Sequence, residues 1–345
     1  MDLERVLLTV LVIILHLNNR DMGGGLNLSS AGAAFEIFIR FLESAAICAV
    51  DAFLMLSGYF AARNLQTKAN VGKAVFLLIT CSFYRVIGYV CFCLFVTHGS
   101  FSIRTLIGYL IPNNWYVCLF VTVLLLSPFL VRLLNGLDGR DVKRLTCLLV
   151  LLFSVVPTFV TLFGEAAGAD LRGLSTVTWQ GDAMGFNLAV FVTCYVLGWA
   201  LRCSSDYWDR FGAWFYLTSY LLTAALASAI SHFTESIWNY SCVLTVTEAA
   251  MLTLAFTRIH VGSDRAGRVI SALAGCSLGI FLWHTMPVMF VGFWERFGIV
   301  DSAARGFASF AATCVATTLA TYAVSAIWVL ACRTAVRKCH ILYKH

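Results

Sequence analysis

Stretches of roughly twenty residues with no charged side chain recur along the whole chain, and that length is what one helix needs to cross a bilayer. No other feature constrains the fold as strongly. Composition agrees: 60% of the 345 residues are hydrophobic and only 12% are charged, about half the ~25% charged share of soluble domains. Mean hydropathy is +0.84. A water-soluble fold has no interior large enough to hide that much apolar surface, which excludes a cytosolic enzyme, a secreted disulfide scaffold and a disordered chain. The expected fold class is all-α, a polytopic membrane helix bundle.

Ten spans can be drawn, at residues 5–19, 41–60, 74–97, 115–131, 145–163, 186–201, 211–230, 240–257, 270–293 and 306–330. The first is short and preceded by charges, as a signal peptide is, but no small-residue cleavage site follows Leu15-His16-Leu17-Asn18-Asn19, so it reads as a retained span. Basic residues test the map. One alternate set of connections and ends holds seventeen: Arg5, the group from Arg63 to Lys73, four from Arg132 to Arg144, Arg202 and Arg210, three from Arg258 to Arg268, and four from Arg333 to Lys344. The other set holds six, Arg20, Arg40, Arg104, Arg172, Arg296 and Arg305, and Arg85 lies within a span. By the positive-inside rule both termini are cytoplasmic, an N-in/C-in arrangement in the plasma membrane. No appended soluble domain is expected, so residues 1–345 read as one membrane domain.

The net charge of +6 is accounted for by that topology and gives no sign of nucleic-acid binding. The thirteen cysteines include no CxxC pair and no clustered His/Cys ligand set; they read as small buried hydrophobes, and no metal is expected.

Away from span edges, five ionisable residues stay inside the spans: His16, Asp51, Arg85, Glu248 and His284. A charge at the bilayer centre costs roughly 2.5–3.5 kcal/mol even on the lenient insertion scale, so such groups are expected to face one another or a wet cavity. The plain structural alternative is an Asp51–Arg85 ion pair with histidines bonded to backbone carbonyls. Arg5 and His16 add a geometric clue. Eleven residues at ~100° each come to within about 20° of three full turns, so both lie on one helix face, about 16 Å apart. A cation at the inner end of a face and an imidazole deep in the membrane suit an elongated anionic ligand entering from the cytoplasm; taken alone, Arg5 reads as a topological anchor.

These residues resemble the acyltransferase-3 family of integral-membrane acyltransferases. The family's first helix carries a basic residue, ten intervening residues and a histidine, matched by Arg5-x10-His16. Its Asp-x-Phe-Phe-x-x-Ser-Gly-Phe/Tyr element is similar to Asp51-Ala52-Phe53-Leu54-Met55-Leu56-Ser57-Gly58-Tyr59, with Leu54 in place of the second Phe. Echoes of the Gram-positive branch follow in the family's order: Phe83-Tyr84, Trp115-Tyr116 with Ser127-Pro128-Phe129-Leu130, Tyr195-Val196-Leu197-Gly198, and the run Ser277 to His284. Larger members carry a fused extracytoplasmic domain; this sequence matches the stand-alone membrane domain.

The resemblance implies acyl-CoA, usually acetyl-CoA, as a cytoplasmic donor substrate with no permanently bound cofactor. It implies a hydroxyl-bearing glycan or lipid-linked sugar on the other side as acceptor. Imidazole is the side chain best matched to removing a hydroxyl proton near neutral pH, so His16 is the expected catalytic base, with Asp51 holding its second nitrogen. Whether His16 acts in direct transfer or as a transient acyl-imidazole carrier is left open by the sequence, direct transfer being the simpler. Arg5, Arg63 and Lys73 are expected to meet the donor's phosphates. Arg85 either stabilises the oxyanion or neutralises Asp51. Ser57-Gly58 either lets the pantetheine arm pass or makes a close helix contact. Trp115 and Tyr116 are interface anchors or sugar-stacking residues on the acceptor side, where Glu248 and His284 are supporting residues. The competing reading is a transporter or exporter of a polar solute, since buried Asp, Glu, His and Arg also mark proton relays. It lacks the paired Gly/Pro-broken half-helices typical of such sites. A module that only binds a partner is a third class.

Overall fold

The computed structural model describes residues 1–62, 69–175 and 186–342, and among these it is all-helical, with no strand. The principal helices are α1 (Asp2–Asn18), α2 (Ala33–Ile47), α3 (Ala49–Ala61), α4 (Val71–Phe95), α5 (Ile103–Leu110), α6 (Trp115–Gly136), α7 (Gly139–Val150), α8 (Val156–Ala167), α9 (Leu188–Cys203), α10 (Ala213–Ser231), α11 (Val243–Phe256), α12 (Asp264–His284) and α13 (Phe307–Leu342). Six helical stretches among the described residues are long and apolar enough to cross a membrane: Val71–Phe95, Ile103–Gly136, Gly139–Ala167, Ala213–Ser231, Asp264–His284 and Phe307–Thr334. Leu188–Cys203 and Val243–Phe256 are apolar but shorter. Large apolar side chains such as Phe76, Ile79, Leu222, Leu319 and Ile327 point outward, the pattern of helices whose solvent is hydrocarbon. The chain is a multi-pass membrane protein.

Short polar residues start the helices. Asn114 and Asn187 accept hydrogen bonds from the backbone N–H of Val117 and Val190, each at 3.0 Å, and Asp138 caps α7 through the N–H groups of Arg140 and Asp141. Each satisfies amide donors that the first helical turn leaves unpaired.

Two predicted spans are not continuous helices. The stretch 41–60 breaks at Cys48 between α2 and α3. The carbonyl of Ala45, which an unbroken helix would offer to residue 49, instead accepts the Tyr220 hydroxyl at 2.6 Å, and a side chain inserted into the ladder in this way bends a helix. The stretch 270–293 divides as well: α12 starts earlier, at Asp264 behind the capping Ser263, and ends at His284. Pro287 follows, and a π-helical turn occupies Val288–Phe293. Proline disfavours helical geometry in the residue before it and donates no backbone hydrogen bond, so the α-helix stops short.

The chain forms two compact units. One comprises Met1, 40–79 and 113–260. Its tightest packing is α3 on α9, where Met55-x-x-Gly58 meets Tyr195-x-x-Gly198. A Cβ at Gly58 would lie 1.8 Å from the Tyr195 carbonyl oxygen, and one at Gly198 would lie 2.0 Å from that of Met55. Small residues three positions after a neighbour's contact let the backbones touch. Val131, Leu134, Val142, Val196 and Trp199 form an adjoining apolar core.

The other unit comprises 2–39, 80–112 and 261–345, with α12 packed against both α1 and α13. The glycine run after α1 folds back on its end: Gly23 donates to the His16 carbonyl at 3.1 Å and Gly24 to that of Asn19 at 2.8 Å. A Cβ at Gly23 would sit 2.1 Å from the Leu17 carbonyl oxygen, so only glycine permits this closure over the last turn of α1.

Candidate active site

In the second unit α1 and α12 bring two histidines together. His16, in the last turn of α1, and His284, the final residue of α12, have Nδ1 of the first 2.9 Å from Nε2 of the second. Their ring centroids lie 4.9 Å apart at an interplanar angle of 59°. His284 is completely buried and His16 half-buried. The second nitrogen of His284, Nδ1, donates to the Ile280 carbonyl one turn earlier, at 2.8 Å. The sequence expectation sets Asp51 at the second nitrogen of His16; the partner that meets Nδ1 is His284.

α1 is continuous from Asp2 to Asn18, so Arg5 and His16 do share a stripe about 16 Å long. Arg5 pairs with Asp2 through a 3.1 Å contact, both side chains 40% exposed. An ion pair this exposed contributes at most ~1 kcal/mol, so it does not bar the guanidinium from a phosphate. Arg85 lies over the ring of Tyr109, its Cζ 4.9 Å from the centroid, and Tyr109 stacks on Tyr89 at 4.9 Å.

The first unit holds the two buried carboxyls, Asp51 on α3 and Glu248 on α11, both almost wholly excluded from solvent. The Cys194 thiol is within hydrogen-bonding reach of Asp51, and Glu248 is close enough to interact electrostatically with Asp51. Ser57 donates its hydroxyl to the Phe53 carbonyl at 3.0 Å. Gly58 is pressed on Tyr195 in a close helix contact, one of the two roles the sequence allows it. Trp115 stacks on Phe186 at 4.0 Å and lies 5.7 Å from Tyr240, while Tyr116 stacks on Phe120 at 5.9 Å. Lys73 is exposed near the start of α4, its backbone N–H bonded to Asn70. Arg63 and Lys68 lie outside the described residues. Among the described residues no group of His, Cys, Asp and Glu is arranged to hold a metal ion.

The sequence profile of a family described as an acyltransferase domain matches residues 1–327. The chain belongs to the acyltransferase-3 family. Neither a curated protein nor a solved structure gives a significant match. The protein is therefore a membrane acyltransferase, and the chemistry its site must support is attack on an activated acyl group.

Several residues around this acyltransferase's polar groups escape sequence reading. Phe186 and Tyr240 complete the aromatic cluster on Trp115, yet both look like ordinary span-edge aromatics. Cys194 beside Asp51 resembles any other apolar-run cysteine. The three consecutive glycines 23–25 were the one available signal for the turn closing on His16.

Proposed function

We propose that this acyltransferase moves an acyl group, acetyl in the first instance, from cytoplasmic acyl-CoA to a hydroxyl of a cell-surface glycan or lipid-linked sugar, with His16 as general base. The observation that carries the reading is the His16–His284 pair at the end of the helix that also bears Arg5. A half-buried imidazole engaged on one nitrogen and held in place is the arrangement from which a base can act on an incoming hydroxyl. In the direct reaction the hydroxyl proton passes to Nε2 of His16 while the oxygen bonds to the thioester carbonyl carbon. The carbon–sulfur bond then breaks, and the coenzyme A thiolate leaves with the proton returned from Nε2. Reactants and products balance as one alcohol and one thioester giving one ester and one thiol.

Arg5 suits the donor's phosphates, since a guanidinium meets phosphate oxygens in a two-pronged geometry. With the basic residues concentrated on one side, this reading places both termini and the donor in the cytoplasm and the enzyme in the plasma membrane. The test is mass spectrometry of surface glycans from cells with and without the protein. The expected result is loss of an acyl mass, 42 Da for acetyl by the chemistry of esterification (~42), on one glycan class in cells lacking it. Identical acylation of every glycan and lipid-linked sugar in the two cultures would count against the acceptor class.

A further inference from the structure

We infer that His284 is a positioning residue that fixes the tautomer of His16, leaving the base's lone pair on Nε2. A backbone carbonyl only accepts, so the 2.8 Å contact from His284 to Ile280 puts a proton on Nδ1 of His284. An uncharged His284 then has a bare Nε2, and that atom faces Nδ1 of His16 at 2.9 Å. The hydrogen bond between the rings therefore runs from the Nδ1–H of His16 to Nε2 of His284. An uncharged His16 with its proton on Nδ1 carries its lone pair on Nε2 and nowhere else.

The opposite sense would need a charged His284 donating from Nε2, in a position with no solvent exposure; it would leave His16 with a bare Nδ1 already occupied and no free base. When His16 accepts the hydroxyl proton during transfer, its Nδ1–H still has the His284 lone pair opposite, which stabilises the imidazolium that forms. The arrangement does with a second imidazole what a carboxylate does beside the histidine of other acyl-transfer sites. The catalytic consequence rests on the acyl-transfer reading above; the tautomer does not.

The test uses the full chain in nanodiscs, labelled with ¹⁵N-histidine, the His16 signals being assigned by difference against His16→Gln. The expected spectrum shows a protonated, pyrrole-type Nδ1 and a bare, pyridine-type Nε2 for His16. In His284→Phe that preference should disappear, with kcat for transfer down about 100-fold or more and the acyl-CoA KM changed less than about threefold. His284→Gln, whose side-chain oxygen can still accept from Nδ1–H, should recover at least about tenfold of the lost kcat. A wild-type His16 protonated on Nε2 and bare on Nδ1 would overturn the inference without recourse to any variant. So would a folded His284→Phe protein with wild-type kcat. The predicted tautomer in a protein that transfers no acyl group would leave the inference standing and remove the proposed function instead.

Discussion

Replacing His16 by Ala or Gln should lower acyl transfer by about a thousandfold, within the ~10²–10⁴ range that a positioned general base contributes. Helix content and yield in detergent should stay at wild-type levels. Both variants are informative because they fail for different structural reasons. Gln can still donate to Nε2 of His284, preserving the contact between α1 and α12, yet has no basic nitrogen to take a proton. Ala removes the contact as well, leaving a buried acceptor on His284 unpaired at a cost of about 1–3 kcal/mol. If the lost function came from disturbed packing, Gln would be markedly more active than Ala. Equal inactivity with Gln more stable than Ala is the pattern of a missing base. Circular dichroism and transfer assays on the same preparations separate the two.

The second large effect is on stability. Gly58→Ala and Gly198→Ala should each destabilise the protein by about 3 kcal/mol or more, at or beyond the upper end of ordinary overpacking costs. The added methyl groups would meet backbone oxygens at 1.8 and 2.0 Å, and no change of rotamer relieves a clash with main chain. α3 and α9 would have to separate, and with them Asp51 and Cys194. Ser57→Ala, which removes only a hydroxyl bonded to its own helix at Phe53, should cost less than about 1 kcal/mol. Unfolding in mixed micelles measures all three. Had Ser57 and Gly58 instead formed a passage for the donor, Ser57→Ala and Gly58→Ala would share a raised acyl-CoA KM at unchanged stability.

Hydropathy located most helices closely because burial in lipid is a property of whole segments. The predicted 74–97 and 211–230 correspond to α4 at Val71–Phe95 and α10 at Ala213–Ser231. It missed the breaks at Cys48 and after His284 for two different reasons. The first depends on a hydroxyl from Tyr220, 175 positions away, which no local pattern announces. The second is marked by Pro287, but the run from Phe281 to Phe293 around it is otherwise apolar enough to continue a span.

The site divides in the same way. That His16 and His284 are candidates follows from the scarcity of ionisable groups inside the spans, and the shared stripe of Arg5 and His16 follows from helical periodicity alone. Periodicity assigns a residue to a face; it does not say which helix that face meets. For that reason the sequence offers Asp51 as the partner of His16, while α12 brings His284 to Nδ1 from 268 positions along the chain. Ser57-Gly58 is ambiguous for a related cause, since small residues serve equally to admit a ligand and to admit another backbone, and the contact of Gly58 with Tyr195 comes from a helix far along the chain.

Use of acyl-CoA and proton transfer by His16 are read together in purified wild-type protein in nanodiscs, supplied with acetyl-CoA carrying a labelled acetyl group and an extract of lipid-linked sugars, with free thiol and labelled product followed in one assay. Coenzyme A should be released in step with label appearing as an ester on sugar, and His16→Gln, folded and still able to bind the donor, should do neither; the proposed reaction requires both. Folded wild-type protein that neither binds nor consumes acyl-CoA, or a His16→Gln variant that transfers at the wild-type rate, would contradict it.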